Sequence, residues 1–209
     1  MSNFYPTNPS LGQQIQTNVS AEKADLGFIA HLIYDEAKAS AADTDAIFDG
    51  INASGDTAFS VNTTNAKFIA QPSCARNITA TATGTAEDVK AVQIIINGTD
   101  MNDEPITETL PAFTVNTLGS VVGSKAFKTV TSVTIPAMDG SGVVIDIGAG
   151  SKLGIPYTLP HNTCLFAFLN NVKEGTAPTV ATSSTSLSNN TITLNSSLNG
   201  KQIDAYFVV

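Results

Sequence analysis

The sequence predicts a mainly β protein, folded as an antiparallel β-sandwich or a jelly-roll-like barrel with an N-terminal extended arm and a short helical leader. Thr, Ser, Asn, Val and Ile are abundant, whereas 2 residues are His, 2 are Cys and 13% are charged. Apolar and polar residues alternate in several segments after Gly55, which is typical of half-buried strands. Turn residues separate these segments at intervals of roughly ten residues, as they do in sandwiches and barrels.

The length of 209 residues is compatible with one large β domain preceded by a smaller leader. We therefore divide the chain into an arm and helical leader over residues 1–55 and a β-sandwich domain over residues 56–209. A folded chain of this size buries roughly 70% of the surface that its unfolded form exposes. The hydrophobic content of 42% is enough to line such a core without disulfide bonds or metals.

The charge balance limits the classes of partner. A net charge of −8 opposes binding to nucleic acid and to anionic membranes, because both need clustered Lys and Arg. The apolar segments Leu26–Tyr34 and Cys164–Leu169 are much shorter than the roughly 20 residues that span a bilayer. Residues 1–6 lack the basic and apolar regions of a secretory signal, which predicts a chain that begins in the cytoplasm.

The first 50 residues predict an arm followed by two helical elements. Residues 1–20 are polar, contain two prolines and have no periodicity, so we expect an extended arm, with a frayed terminus as the alternative for the first ten residues. Residues 25–38 predict a helix with Asp25 as its N-cap. Its apolar residues recur at three- and four-residue spacing: Leu26, Ile29, Ile33 and Ala37. Residues 43–50 predict a further helical turn that ends at Gly50.

The remainder of the chain predicts strands with turns between them. Strands are expected at residues 92–96, 106–110, 127–135, 143–147 and 203–209, with turns at Asn97–Gly98, Asp103–Pro105 and Asp139–Gly140. The turn at Asp139–Gly140 predicts that its two flanking strands form a hairpin. A segment rich in Ser and Thr at residues 176–188 predicts a long exposed loop or a hairpin extension.

Few residues are available for nucleophilic catalysis. His161 lies three residues before Cys164, and a Cys with a nearby His can act as a nucleophile with its base. That chemistry also needs an orienting group and a cleft, so we expect Cys164 and Cys74 to be buried reduced thiols. His31 lies in an apolar segment, which favours a packed or interface histidine over a ligand. The sequence therefore predicts no catalytic residue.

Three patterns resemble ligand sites but lack essential parts. Asp43, Asp45 and Asp49 have the alternate spacing of a calcium loop without its central Gly and closing Glu, so helix capping is favoured. An acidic turn that could hold a cation comprises Asp100, Asn102, Asp103 and Glu104, although solvated turn residues are the simpler interpretation. Residues 148–152 lack the residue order of a phosphate loop. No metal and no cofactor is predicted, and no aromatic platform is evident because Trp is absent and the four Tyr are scattered.

Part of the chain resembles a β module of structural proteins in tailed bacteriophages. The resemblance rests on Gln71–Ile78, Val92–Thr99, Pro105–Glu108, Gly123–Val133 and Lys152–Pro156, and Gly-Ser-Lys-Ala-Phe-Lys-Thr-Val is its most distinctive phrase. It covers residues 70–156, while the leader and the residues from Tyr157 onward lie outside it. The resemblance implies a component of the virion, such as a head decoration or other auxiliary protein, and it transfers no catalytic residue.

These observations lead to one expected function and two alternatives. We expect a non-enzymatic structural protein of a tailed-phage virion, present in the host cytoplasm before assembly, that decorates and stabilises the capsid. Its expected partners are the major capsid protein or other virion proteins and further copies of itself. One alternative is a receptor- or carbohydrate-binding module of the tail or surface, indicated by the Ser- and Thr-rich segment. The other is a hydrolase that uses His161 or Cys164.

Overall fold

The computed structural model describes residues 28–209, which form three antiparallel sheets. Their strands are β1 (Ile29–Tyr34), β2 (Asp43–Asn52), β3 (Phe59–Asn62), β4 (Arg76–Gly84), β5 (Ile95–Thr99), β6 (Pro105–Thr109), β7 (Gly119–Phe127), β8 (Thr129–Ile135), β9 (Val143–Gly154), β10 (Cys164–Leu169), β11 (Val172–Lys173), β12 (Thr179–Ala181), β13 (Thr191–Thr193) and β14 (Ile203–Val208). The only helices in this part of the chain are 3-10 helices at Ala86–Asp88 and Leu187–Asn189. The prediction of a mainly β, antiparallel fold is confirmed.

Sheet A has the strand order β1-β14-β10-β11, and sheet C has the order β3-β8-β5-β6. Sheet B has the order β12-β13-β9-β4-β7, with β2 also paired to β9. Every pairing between these strands is antiparallel. The last strand, β14, is paired on both sides in sheet A, which confirms the strand predicted at the carboxyl end.

Two hydrophobic cores share β9. Its first half contributes Val143, Ile145 and Ile147 to a core between sheets B and C. Leu153, near the end of β9, packs in a second core between sheets A and B together with Ile155, which directly follows the strand. One face of the predicted strand at 143–147 is therefore confirmed as buried, and the same strand continues to Gly154 to reach the second core.

The predicted helix at residues 25–38 is wrong for the part that the structure describes. β1 occupies residues 29–34, and its side chains alternate strictly between exposed and buried. Ala30, Leu32 and Tyr34 point into the second core, whereas Ile29 and Ile33 are exposed. The three- and four-residue spacing was misleading because apolar residues occupy both faces of this strand. Residues 25–27 and the predicted arm at 1–20 lie outside the described residues.

The predicted helical turn at residues 43–50 is also wrong, because these residues belong to β2. Two register shifts against β9 interrupt the alternation that would have identified a strand. Ile47 and Phe48 are both fully buried as a result. Gly50 has a φ of +69° and donates its backbone amide to Asp146 Oδ1 at 2.7 Å, so its conformational freedom supports an irregular strand rather than a helix end.

One predicted turn and one predicted hairpin are wrong as well. Asn97 and Gly98 lie inside β5, and Gly98 is required there because a Cβ would lie 1.9 Å from the backbone oxygen of Thr129. Asp139–Gly140 joins β8 of sheet C to β9 of sheet B, so the flanking strands do not form a hairpin. Asp88 stabilises this connection between the two sheets, because its Oδ2 accepts a hydrogen bond from the Gly142 amide at 2.8 Å.

Close packing of β2 on β9 yields a prediction about stability. A Cβ at Gly148 would lie 2.0 Å from the Asp43 backbone oxygen, whereas a Cβ at Gly175 would meet nothing within 4 Å. We expect Gly148→Ala to lower the free energy of unfolding by about 1–3 kcal/mol, since backbone would have to move. Gly175→Ala is the matched control, with an expected change within about 0.5 kcal/mol. Urea denaturation measures both, and equal stabilities would contradict the close approach.

Candidate interaction surface

The outward side of sheet A combines exposed apolar side chains with a histidine, a tyrosine and a carboxylate. We call it the sheet A face. It comprises Ile29, His31 and Ile33 of β1, Asp204, Tyr206 and Val208 of β14, and Phe166 and Phe168 of β10. The opposite side of the same three strands packs into the second core. Because successive residues of a strand face opposite sides, the sequence that builds this core also sets the composition of the exposed face.

A histidine, a tyrosine and a carboxylate are fixed at the centre of the sheet A face. The rings of His31 and Tyr206 stack with 4.4 Å between centroids and 5° between planes. His31 Nε2 is hydrogen-bonded to Asp204 Oδ1 at 2.8 Å, and Gln202 Nε2 donates to both oxygens of Asp204 at 3.1 Å. These contacts hold the His31 ring in one orientation. The interpretation of His31 as a packed histidine is confirmed, although on a strand.

Aromatic side chains from two strands surround this centre. Phe166 lies 4.9 Å from Tyr206 and 5.7 Å from Phe168 between ring centroids. Lys173 Nζ lies 5.6 Å from the Phe166 centroid, within the range of a cation–π interaction. The structure therefore contains an aromatic cluster that the scattered tyrosines of the sequence did not indicate. Phe166 lies 40 residues before Tyr206 and His31 lies 175 residues before it. The one available sequence signal was the outward side of β14, where Tyr206 lies between Asp204 and Val208.

Exposed aliphatic side chains extend the sheet A face. Ile29 is 67% exposed and Ile33 is 47% exposed, and Leu165, at the bulge of β10, is 49% exposed. Contiguous exposed apolar surface of this kind commonly marks a binding site, and rigid aromatic residues commonly supply most of the binding energy. The face has a fixed centre and an apolar margin. Its chemistry suits contact with another macromolecular surface.

The two residues considered for hydrolysis are not joined in the structure. Within residues 28–209, no hydrogen bond links His161 to Cys164. The Cys164 thiol instead lies 3.9 Å from the Phe166 carbonyl oxygen, and burial raises the pKa of this thiol. A catalytic thiolate needs a lowered pKa. Cys164 therefore lacks the environment of an activated nucleophile, and it is half-buried at the start of β10.

The acidic patterns have local structural roles. Asp43 and Asp45 lie in β2, and a hydrogen bond between their side chains raises the pKa of Asp45. Asp100 Oδ1 accepts from the backbone amides of Asn102 and Glu104 at 2.8 and 3.2 Å, which stabilises the turn between β5 and β6. Residues 28–209 contain no cluster of three or more His, Cys, Asp or Glu side chains that could hold a metal ion.

The segment compared with a phosphate loop lies inside β9. The Lys152 amide donates to Asn77 Oδ1 at 2.9 Å, and Lys152 Nζ donates to the Gly123 oxygen at 3.1 Å. A Cβ at Gly150 would collide with the Asn77 side chain, so glycine allows the close approach of Asn77. These residues connect strands of sheet B and do not form a phosphate-binding loop.

A buried polar cluster connects the two cores. The Arg76 side chain is fully buried, and it donates from Nε to the Gly150 oxygen at 2.6 Å and from Nη1 to Ser40 Oγ at 3.2 Å. Burial lowers the pKa of Arg76 and raises the pKa values of Tyr34 and Cys74. Because the guanidinium is enclosed and directed at the backbone of β9, its role is structural.

Comparisons with known proteins do not add an identification. No family model matches the chain, and neither the curated proteins nor the solved structures include a significant match. Within residues 28–209, no helix has the length and apolar character needed to cross a membrane. A role for the sheet A face is therefore argued from its geometry alone.

The raised thiol pKa values yield a prediction about reactivity. At pH 7 we expect iodoacetamide to alkylate Cys74 and Cys164 several-fold more slowly in the native chain than in urea, because burial disfavours the reactive thiolate. Native rates should continue to rise above the ordinary thiol pKa of 9.0, where the rates in urea level off, because burial raises both thiol pKa values. Mass spectrometry of each cysteine measures the rates, and His161→Ala should leave the Cys164 rate unchanged. Fast reaction of Cys164 at pH 7 that His161→Ala abolishes would contradict this interpretation.

Proposed function

We propose that this protein is a non-enzymatic structural protein of a tailed-phage virion that decorates and stabilises the capsid. In this proposal the protein is present in the host cytoplasm before assembly. It then joins the head when the sheet A face binds the lattice of the major capsid protein. Further copies of the same chain are its other partners. Many identical copies make weak individual contacts sufficient, because neighbouring sites raise the effective concentration.

The observation that supports the proposal most strongly is the position of the sheet A face relative to the resemblance. The residues that resemble the phage module, 70–156, contain β4 to β9, the sheets around the first core. All four strands of sheet A lie outside that range. A shared scaffold with a separate, apolar and aromatic surface is what a family of particle proteins needs to dock on different neighbours.

The absence of an activated nucleophile at Cys164 favours a binding role over the hydrolase alternative. The central contacts of the sheet A face also suit binding. Contacts among His31, Tyr206 and Asp204 already order these side chains in the free protein. Binding to a partner therefore costs little additional side-chain entropy. Large, ordered aromatic residues at the centre of an interface typically contribute more energy than those at its margin.

A receptor- or carbohydrate-binding module is the second candidate. Tyr206 and Phe166 lie beside Asp204 and Gln202, and sugar-binding sites combine aromatic rings with carboxylates and amides in this way. The stacking of His31 on Tyr206 favours the capsid proposal, because it occupies one face of the ring that a sugar would use. Binding to host envelope or glycans without binding to capsids would select this second candidate.

The proposal predicts a loss of capsid binding when the aromatic centre is removed. We expect Tyr206→Ala to weaken co-sedimentation with capsids that lack this protein by about 30-fold, the equivalent of about 2 kcal/mol at an interface hot spot. Tyr157→Ala is the matched control, because Tyr157 is a 40% exposed tyrosine outside sheet A, and it should bind like the wild type. Failure of the wild-type protein to co-sediment at near-saturating concentration would reject capsid decoration. Equal binding by both variants would reject the sheet A face as its surface.

A further inference from the structure

The outer edge of β1 is open. β1 pairs with β14 on one side, and the described residues provide no strand on the other. Phe28 and Val209 exchange both backbone hydrogen bonds, at 2.9 and 2.8 Å. Since hydrogen-bonded pairs alternate along an antiparallel ladder, the backbone N–H and C=O groups of Ile29, His31 and Ile33 point away from β14. Within residues 28–209, no hydrogen bond reaches the outward backbone groups of these three residues.

The other sheet edges in the described chain are protected in ways that β1 is not. β6 begins at Pro105 and includes Glu108, β7 includes Lys125, and β11 has two residues, the second of which is Lys173. β3 and β12 are four and three residues long. β2 contains register shifts, and residues 67–69 bond to its open side. Short length, proline, charge and bulges are the usual means by which proteins prevent edges from pairing.

β1 is free of these features. Its sequence, Ile-Ala-His-Leu-Ile-Tyr, has six residues and contains no Pro, Gly, Lys, Arg, Asp or Glu. A groove of about 530 Å³ at the carboxyl end of β1 is lined by residues 33–35 and by residues 72–75. An unprotected edge of this length is a template for pairing with another strand.

We propose that β1 pairs with β1 of a second copy of this chain, antiparallel and across a two-fold axis. The two copies of sheet A would then form one continuous sheet of eight strands, twice the four that each copy contributes. This inference concerns the edge of sheet A and does not require that its face docks on a capsid. An identical strand is the partner because its pattern of free groups is self-complementary under two-fold symmetry.

One register uses all three free residues. With His31 opposite its counterpart, Ile29 of each copy lies opposite Ile33 of the other, and each of these pairs exchanges two backbone hydrogen bonds. Side chains of opposite residues share a face, so the isoleucines meet on the exposed side and Ala30 meets Leu32 on the core side. Antiparallel pairing also places the two copies of Asp35 at opposite ends of the ladder. Apolar groups therefore meet apolar groups on either side of a central pair of histidines, and the two Asp35 carboxylates are kept apart.

A pair of variants at Ile33 separates backbone pairing from side-chain contact. Ile33→Pro removes an N–H that points away from β14, a position at which an edge strand tolerates proline. Ile33→Thr keeps the N–H and removes the apolar side chain. In sedimentation equilibrium of the full chain, we expect the wild type and Ile33→Thr to have twice the mass of the 21.7 kDa chain and Ile33→Pro to be monomeric. Near-identical circular dichroism spectra would establish that all three are folded.

Hydrogen exchange on the wild-type protein provides a test that does not depend on a variant folding. The amides of Ile29, His31 and Ile33 should be protected in the dimer and should lose protection by about tenfold or more on dilution to the monomer. The amides of Ala30 and Leu32, which face β14, should stay protected at both concentrations. A monomeric wild type, a dimeric Ile33→Pro protein, or protection of Ile29, His31 and Ile33 that is independent of concentration would each overturn the proposal.

Discussion

The constraint on which the rest of the structure depends is the sharing of β9 between two cores. Val143, Ile145 and Ile147 fill the core between sheets B and C, and Leu153 helps to fill the core between sheets A and B. The pairing of β4 with β9 shifts register between Arg76 and Ile78, so β9 passes from one core to the other through an irregular part of the ladder. Buried Arg76 bonds to the Gly150 oxygen at this passage, and backbone groups buried there would be costly without partners. Sheet A is positioned by this strand, and so is the surface that it exposes.

Local pattern predicted the elements whose burial is one-sided and regular. The strands at 143–147 and 203–209 alternate cleanly because one face of each lies in a core, and both were predicted. β1 was misassigned because Ile29 and Ile33 are apolar on the exposed side, so the strand has two apolar faces and no clear period. β2 was misassigned because its bulges place Ile47 and Phe48 in the core together, which removes the alternation. In both cases the sheet pairing determined the structure and the local periodicity did not.

The sheet A face could not be predicted from local sequence because it is assembled by long-range pairing. His31 reaches Tyr206 through the pairing of β1 with β14, and Phe166 reaches it through the pairing of β10 with the other side of β14. The same residues that misled the secondary-structure prediction of β1 are those that make its exposed side apolar. A strand with apolar residues on both faces is typical of one that contacts protein on both sides. The failed prediction and the proposed function therefore share a physical cause.

The face and the edge of sheet A would recognise a partner through different groups. The face offers side chains with a fixed geometry, so it can select a surface of matching shape. The edge offers backbone groups, which any strand can satisfy, so its selectivity must come from symmetry and from the side chains beside the ladder. Two-fold pairing at β1 would place two sheet A faces side by side on one surface. A dimer of that kind would present two copies of a weak site to a repeating lattice, and this arrangement would increase the avidity of each dimer without any new contact to the lattice.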